Sequence, residues 1–441
     1  MTAVTVFAFL SVLLVVGKVL RVQIPLLQRL YLPSSVIGGA VGLVFFTCWG
    51  SVLPPEIKQT MAKCPGFLIN VIFATIFLGA AVPKVGDVMR FALPQLTLGQ
   101  IIAWGQYVVG LGLAGFFFAR WFGVPAAFGN LIEIGFEGGH GTVGGMTESF
   151  RAFGWEDGIA LGFTVATVGM IVGIVFGMVL IQWAHRRGIV REVRAFADRK
   201  PNERRGIHVR GRRPSAGQQT VFCDSIDSLA WHLAIVGLAL LIGSGIHSLI
   251  PMKGFPLFPL CMIGGVMLSL GAKVTKVDLL VDRVQMERIS GAALDFLVVS
   301  AVATIRLEVV AANWQPLALL CVAGAVWSVW CVLFIAPRVF RTAWFERAIA
   351  EFGQATGVTA TGLMLLRTVD PENKTPAAMS FGYKQLLHEP FMGGGLWTAL
   401  AFTLVYQIGW LKVFLISLAM LVFWGVVAAV LAVRNRRAGA N

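Results

Sequence analysis

Long apolar runs dominate this chain and decide the environment in which it can fold. A hydrocarbon core about 30 Å thick is crossed by roughly 20 apolar helical residues. The chain is 57% hydrophobic and 13% charged, whereas an ordinary soluble domain is about 25% charged. We therefore predict an all-α integral membrane protein in a lipid bilayer. Its candidate spans are 3–21, 33–50, 66–82, 94–119, 158–184, 229–249, 255–271, 289–308, 314–337, 389–408 and 411–433.

One long polar segment, residues 185–228, carries eleven of the 36 Lys and Arg residues. The net charge of +14 would point to nucleic acid in a soluble protein, but basic residues collect in the cytoplasmic loops of membrane proteins. We therefore expect a cytoplasmic linker and no nucleic-acid partner. Five candidate spans precede this linker, so the N-terminus is expected outside.

Three short patterns recur in the same order in the two halves of the chain, which indicates an internal repeat. The matching pairs are 33–39 with 259–265, 67–78 with 296–307, and Phe136 and Gly141 with Phe352 and Gly357. Because five is an odd number of spans, the second copy of the repeat must have the opposite membrane orientation, as in many secondary transporters. We predict two inverted five-helix repeats, 1–184 and 229–408, joined by the linker 185–228 and followed by an extra C-terminal helix and basic tail in 409–441.

Two segments, 125–150 and 344–368, are long enough to enter the bilayer but rich in Gly, Thr and acidic residues. Glycines cost helix stability, about 1 kcal/mol each relative to Ala, but permit positive φ and close backbone approach. Each segment lies between the fourth and fifth spans of its repeat, so we predict two re-entrant hairpins. Extramembrane loops or small-residue helix contacts are the alternative.

A helix broken at membrane depth presents N–H groups at one end and carbonyls at the other. The N–H groups suit an anionic substrate, and carbonyl or hydroxyl oxygens suit Na⁺. The predicted substrate-binding residues are Glu137, Gly138, Gly139, His140, Gly141, Thr142, Gln354, Thr356 and Gly357. The predicted Na⁺ ligands are Thr356, Thr359 and Thr361.

The sequence Gly138-Gly139-His140-Gly141-Thr142 resembles the G-G-H-G-T re-entrant motif of the bacterial sodium/glutamate symporter family. The five-plus-five layout over residues 3–408 is similar to that family as well. The resemblance implies hairpins that meet from opposite faces, Na⁺-coupled glutamate uptake across the bacterial inner membrane, and a homodimer. The chain departs from the family at Glu137, where a small polar residue is expected, in its incomplete second Gly/Thr run, and in its eleventh helix.

Glu137 can balance a cation, carry a proton or pair with His140, because an acid within a membrane segment is costly without a partner. Glu133 lies on the same helical face. The leading hypothesis is a Na⁺-coupled symporter of a small organic anion, glutamate or a related amino acid. The alternatives are an H⁺-coupled transporter of another organic anion, and an ion channel or non-transporting membrane sensor. The sequence has no Ser-His-Asp arrangement, HExxH motif or clustered metal ligands, so no enzyme activity is predicted.

Overall fold

The computed structural model describes residues 2–80, 91–190, 200–209, 211 and 213–439, and no strand occurs in these ranges. Large apolar side chains such as Phe7, Leu241 and Val430 are exposed on the helices, as lipid-facing side chains are. The predicted all-α integral membrane fold is confirmed. The described helices long and apolar enough to cross a membrane are Thr2–Gln23, Leu93–Trp121, Asp157–Arg186, Ser228–Ser248, Trp314–Val339 and Trp410–Arg437, with shorter apolar helices at Ser34–Trp49, Phe258–Val274 and Leu396–Gln407.

The helices form two compact units, and each unit draws on both halves of the sequence. The first unit takes its residues from 1–82, 144–154 and 200–305, and the second from 83–143, 155–199 and 306–441. The units therefore do not follow the predicted repeat boundaries along the chain.

Close helix contacts in the first unit recur at matching positions in the two halves. A Cβ atom at Gly38 would lie 2.3 Å from the carbonyl oxygen of Leu13, and one at Gly264 would lie 2.3 Å from that of Ala239. The same sequence offset separates both members of the two pairs. The helices of this unit are Thr2–Gln23, Pro25–Arg29, Ser34–Trp49, Pro55–Met61, Cys64–Thr75, Thr147–Ala152, Pro201–Arg205, Ser228–Ser248, Phe258–Val274 and Arg283–Ala303.

The next glycine of each motif packs against the opposite half of the chain. A Cβ at Gly39 would lie 2.6 Å from the Val302 Cβ, and one at Gly265 would lie 2.3 Å from the carbonyl oxygen of Ala74. The helix Ser34–Trp49 thus contacts Arg283–Ala303, and Phe258–Val274 contacts Cys64–Thr75. This reciprocal exchange supports the predicted repeat, and the inverted membrane orientation of the repeats stays a prediction.

The second unit is built around buried aromatic and aliphatic side chains that include Phe345, Phe352 and Phe381. Long helices of both halves contain a π-helical turn shortly before their C-terminal ends, at Ala114–Phe118 and at Cys331–Ile335. The α-helices of this unit are Leu93–Leu113, Ala119–Trp121, Asp157–Arg186, Leu307–Ala312, Trp314–Trp330, Ala336–Val339, Trp344–Val369, Ala377–His388, Leu396–Gln407 and Trp410–Gly439, and the helix Gly139–Gly145 begins in it.

The C-terminal region differs in part from the predicted spans. The span predicted at 389–408 begins as a helix only at Leu396, because Gly393 and Gly394 take positive φ values of 64° and 107° and form a turn. The extra C-terminal helix is present at Trp410–Gly439. Gly409, with a φ of 93°, separates it from the preceding helix.

Candidate functional site

The second Gly/Thr segment is a helix that reverses direction halfway. Within Trp344–Val369 the backbone is non-helical at Gly357 (φ −150°, ψ 35°) and Val358 (φ 63°, ψ 171°), which we name the second break. A Cβ at Gly362 would lie 2.4 Å from the carbonyl oxygen of Ala350. A straight helix would separate these two residues by about 18 Å. The two arms therefore lie against each other as a helical hairpin.

The first Gly/Thr segment is interrupted in a comparable way. It contains a 3₁₀-helix at Ala126–Asn130 and a π-helical turn at Glu133–Glu137. The turn is followed by Gly138 and Gly139, which we name the first break, and Gly139 has a φ of +67°. The rings of Phe128 and Trp155, near the two ends of the segment, are 6.5 Å apart. The chain therefore also returns close to where it started.

The two breaks contact each other. A Cβ at Gly139 would lie 2.4 Å from the Val358 Cγ1 atom, so only glycine allows this approach. Val358 itself occupies a backbone region that is essentially restricted to glycine and costs on the order of 1–3 kcal/mol. Backbone strain of this kind clusters at functional sites, and here it lies at the point where the breaks meet.

Glu137, the last residue of the π-helical turn, is the centre of a buried hydrogen-bond network. Its Oε1 atom accepts from Gln354 Nε2 at 3.0 Å and from His388 Nε2. His388 Nδ1 lies 3.1 Å from Gln100 Nε2, and Gln100 Oε1 accepts from Trp104 Nε1 at 2.8 Å. The carboxylate thus accepts hydrogen bonds from one side chain of the second hairpin and from one of the helix Ala377–His388.

Lys384 forms a fully buried ion pair beside this network. Its Nζ atom lies 3.0 Å from Glu351 Oε2, and both side chains have no exposed surface. The same Nζ donates to Gln354 Oε1 at 3.0 Å and to Gln385 Oε1 at 2.9 Å. Gln95 Nε2 donates to the other Glu351 oxygen at 2.8 Å. Removing one partner of a buried ion pair strongly destabilises a protein. We therefore expect Lys384 and Glu351 to depend on each other energetically.

Glu133 anchors the glycine turn that precedes Leu396. Its Oε1 atom accepts from the Gly393 N–H at 2.8 Å and from the Thr398 hydroxyl at 2.7 Å. Its Oε2 atom accepts from the Tyr107 hydroxyl at 2.5 Å. Both oxygens are therefore satisfied, and the turn is held against the first break.

The predicted Na⁺-binding threonines separate into two groups. Thr356 and Thr361 both contact the backbone at Gly173, where a Cβ would lie 2.7 Å from Thr356 Oγ1 and 3.3 Å from Thr361 Cγ2. Thr359 instead donates to Glu389 Oε1 at 2.8 Å and accepts from Gln385 Nε2. The pair Thr356 and Thr361 flanks the second break, and the Thr356 hydroxyl donates to the carbonyl oxygen of Phe352 at 2.7 Å. The Thr359 hydroxyl is instead bonded to two other side chains.

The G-G-H-G-T motif contributes mainly its backbone to the meeting point. His140 is buried, and its Nε2 atom lies 2.9 Å from the hydroxyl of Thr167. Thr142 donates to the carbonyl oxygen of Gly138 at 2.9 Å. The histidine that contacts Glu137 is therefore His388 and not His140, which the sequence offered as a partner.

Several residues of the site escaped the sequence analysis. Lys384 and His388 lie just before the span predicted at 389–408, so they were not read as intramembrane charges. Gln100 lies within the candidate span 94–119, and it is buried together with Gln95 and Gln106. Three glutamines in one apolar run are the signal that could have identified this helix as part of a polar site.

The cluster carries more negative than positive groups. Glu133, Glu137 and Glu351 are buried carboxylates, and Lys384 is a buried ammonium. Arg347 is buried as well, but it lies about 15 Å from the second break along its arm. Buried charges need compensation, so this arrangement can bind a cation, a proton or a group that carries positive charge.

Residues 1–369 match the family model described as sodium/glutamate symporter. The match includes both breaks, and it ends before the helix Ala377–His388 that supplies Lys384 and His388. A comparison with curated proteins found no match.

Proposed function

The chain belongs to the sodium/glutamate symporter family, and on this premise we propose that its transport site lies where the two helix breaks meet. The family indicates a secondary transporter that uses Na⁺ as the coupling ion. Our proposal adds the location of the site and its substrate, which is glutamate or a related amino acid.

The contact between the two breaks is the observation that carries this proposal. Gly139 and Val358 touch, and buried polar side chains surround them. Non-helical backbone at membrane depth is tolerated only where it is buried in protein or lines a cavity. In secondary transporters such broken helices bind substrate and coupling ions near the midplane. The same function explains why both breaks retain glycines that weaken their helices.

The second arm of the second hairpin and Lys384 are proposed to receive the carboxylates of the substrate. The arm begins at Thr359, directly after the second break, and the first N–H groups of a helix lack intrahelical acceptors and favour anions. Lys384 donates hydrogen bonds to two neutral amide oxygens, those of Gln354 and Gln385. It can exchange one amide for a substrate carboxylate while it keeps its ion pair with Glu351.

Na⁺ is proposed to bind beside the substrate through oxygens that flank the second break. The last carbonyls of the first arm lack intrahelical donors, and the hydroxyls of Thr356 and Thr361 lie close to them. A bound cation favours the bound anion, and by linkage the anion favours the cation equally. Coupling of this kind is typically about 1–3 kcal/mol.

The membrane topology remains part of the proposal. We propose that the two hairpins are re-entrant and enter from opposite faces, the first from outside and the second from the cytoplasm. The N-terminus is then outside, and the basic linker 185–228 is cytoplasmic, in agreement with its eleven Lys and Arg residues. The setting is the bacterial inner membrane and the assembly a homodimer, as the family resemblance implies.

Uptake by the purified protein in liposomes tests this function. An inward Na⁺ gradient should drive accumulation of labelled glutamate. Unlabelled amino acids and dicarboxylates should inhibit this uptake more strongly the more closely they resemble the substrate. Replacing Na⁺ with K⁺ should abolish accumulation. Glutamate uptake that reaches only equal concentrations on the two sides despite the Na⁺ gradient would instead indicate a passive pathway and contradict the proposal.

H⁺ coupling is a second candidate, which the contact between Glu137 and His388 favours, because a buried His–Glu pair can exchange a proton. Under this alternative, a pH gradient without Na⁺ would drive uptake. The same liposomes distinguish the two, since only the imposed gradient changes.

A further inference from the structure

We propose that the Oε2 atom of Glu137 is a direct ligand of the coupling Na⁺. This inference rests on the proposed function and adds to it a fixed carboxylate at the first break. It is carried by two oriented hydrogen-bond chains that converge on the other oxygen of the same carboxylate.

The first chain starts at Trp104 and assigns the proton on His388. The Trp104 Nε1–H group is only a donor, and it donates to Gln100 Oε1 at 2.8 Å. The Gln100 amide nitrogen is then the atom that faces His388 Nδ1 at 3.1 Å, and it too can only donate. His388 Nδ1 is therefore the acceptor. In this arrangement His388 is neutral, carries its proton on Nε2, and donates it to Glu137 Oε1.

The second chain starts at Lys384 and orients Gln354. The ammonium is only a donor, and it donates to Gln354 Oε1 at 3.0 Å. The Gln354 amide nitrogen therefore donates to Glu137 Oε1, also at 3.0 Å. Two donors thus meet one oxygen, and both hydrogen bonds favour the ionised form of the carboxyl group. Because His388 is neutral, it offsets no charge, and Lys384 is already paired with Glu351.

The second oxygen of Glu137 has no such partner. Glu137 is 2% exposed, and its Oε2 atom has no hydrogen bond within the described part of the chain. A buried polar atom left in this way costs about 1–3 kcal/mol, and more when it is charged. Glu133, one turn earlier and equally buried, has partners on both oxygens. Glu351 Oε2 also lacks a hydrogen bond in the described residues, but it has the Lys384 ammonium 3.0 Å away. Among these three buried carboxylates, Glu137 is therefore the one with an oxygen that has neither a hydrogen bond nor an ion-pair partner in the described part of the chain.

A small hard cation is the ligand that this position fits. Carboxylate and carbonyl oxygens are the ligands that such cations prefer. Glu137 is the last residue of the π-helical turn, where backbone carbonyls lose their intrahelical donors. Broken-helix ends of this kind coordinate Na⁺ in secondary transporters. Gly393 packs against the stem of the same side chain, since a Cβ there would lie 3.3 Å from Glu137 Cγ. One unpaired carboxylate offsets one monovalent charge.

Na⁺ binding to the full-length protein in lipid nanodiscs tests this inference without substrate. Thermal unfolding is followed while Na⁺ replaces K⁺ at constant ionic strength, because a ligand of the folded state raises the unfolding midpoint. Glu137→Gln keeps the shape and an acceptor oxygen but loses the charge. It should raise the Na⁺ concentration for the half-maximal shift by about tenfold or more. Glu346→Gln is the control: it removes a half-buried carboxylate in the first turn of the helix Trp344–Val369, about 18 Å from the second break along its arm, and should keep the wild-type Na⁺ midpoint even if the unfolding temperature changes.

Glu137→Asp gives a second measurement if the Gln variant folds poorly. It keeps the charge, so the response to Na⁺ should persist at a shifted concentration. A wild-type Na⁺ midpoint in Glu137→Gln would overturn the inference and leave Na⁺ symport intact. A Glu137→Gln effect on pH dependence with no effect on Na⁺ would overturn it too and assign a proton to this carboxylate. Wild-type protein without any Na⁺ response, together with Na⁺-independent uptake, would instead contradict the proposed function itself.

Discussion

The contact between the two breaks can be tested by adding one methyl group. Gly139 and Gly123 have nearly the same φ, +67° and +68°. A Cβ at Gly139 would lie 2.4 Å from Val358 Cγ1, whereas one at Gly123 would have no atom of the described residues within 4 Å. Alanine at either position costs roughly 1–2 kcal/mol for the left-handed backbone. At Gly139 the carbon atoms would also be more than about 1 Å closer than their optimum of ~3.5–4.0 Å.

This overlap sets the size of the expected difference. Overpacking of a close-packed interior costs about 1–3 kcal/mol, so Gly139→Ala should lower the free energy of unfolding by about 2–5 kcal/mol. Gly123→Ala should lower it by only about 1–2 kcal/mol. Na⁺-driven uptake should fall in Gly139→Ala and not in Gly123→Ala, because only the first change forces the breaks apart.

A double-mutant cycle isolates the contact from the backbone cost. Val358→Ala removes the Cγ1 atom. When it is combined with Gly139→Ala, it should therefore restore about 1–3 kcal/mol of the free energy of unfolding lost to the overlap. Unfolding free energies in mixed micelles and uptake in liposomes would measure the cycle. If Gly139→Ala is no more costly than Gly123→Ala, or if Val358→Ala gives no recovery, the two breaks do not meet as described.

Two further substitutions probe the buried network. Lys384→Met should destabilise the protein by about 3–5 kcal/mol, because it leaves the carboxylate of Glu351 buried without its ion-pair partner. Adding Glu351→Gln should recover part of that loss. If the two effects simply add in unfolding titrations, the pair is not coupled. Tyr107→Phe should cost about 1–3 kcal/mol, because it leaves Glu133 Oε2 without a donor, and an unfolding midpoint equal to that of the wild type would show that this hydrogen bond does not form.

The apolar runs and the Gly/Thr segments made much of the fold predictable. Length and hydropathy decide whether a helix can cross a bilayer, and the long helices occur near the predicted positions. The two segments 125–150 and 344–368 were identified because glycines so dense serve backbone conformation rather than helix stability. The positive φ of Gly139 agrees with that reasoning.

The side chains around the breaks were less accessible to sequence reasoning. Glu137 and Gln354 were predicted as site residues, and they hydrogen-bond each other. Lys384 and His388 were missed because the turn at Gly393 makes the last span of the second half begin later along the chain than predicted. The helix before this turn, Ala377–His388, therefore lies within the second unit. A local pattern cannot report such a displacement, since it depends on what the turn packs against.

The sequence by itself determined that this chain is an all-α membrane protein with two interrupted segments and a basic linker, because span length, glycine content and charge act locally along the chain. Only the tertiary structure decided which groups meet at the breaks. Glu133 and Glu137 are one turn apart in a single segment, and yet one has both oxygens satisfied and the other has an oxygen without a hydrogen-bond partner among the described residues. That difference arises from Tyr107, Thr398 and the Gly393 turn, which approach Glu133 from distant parts of the chain.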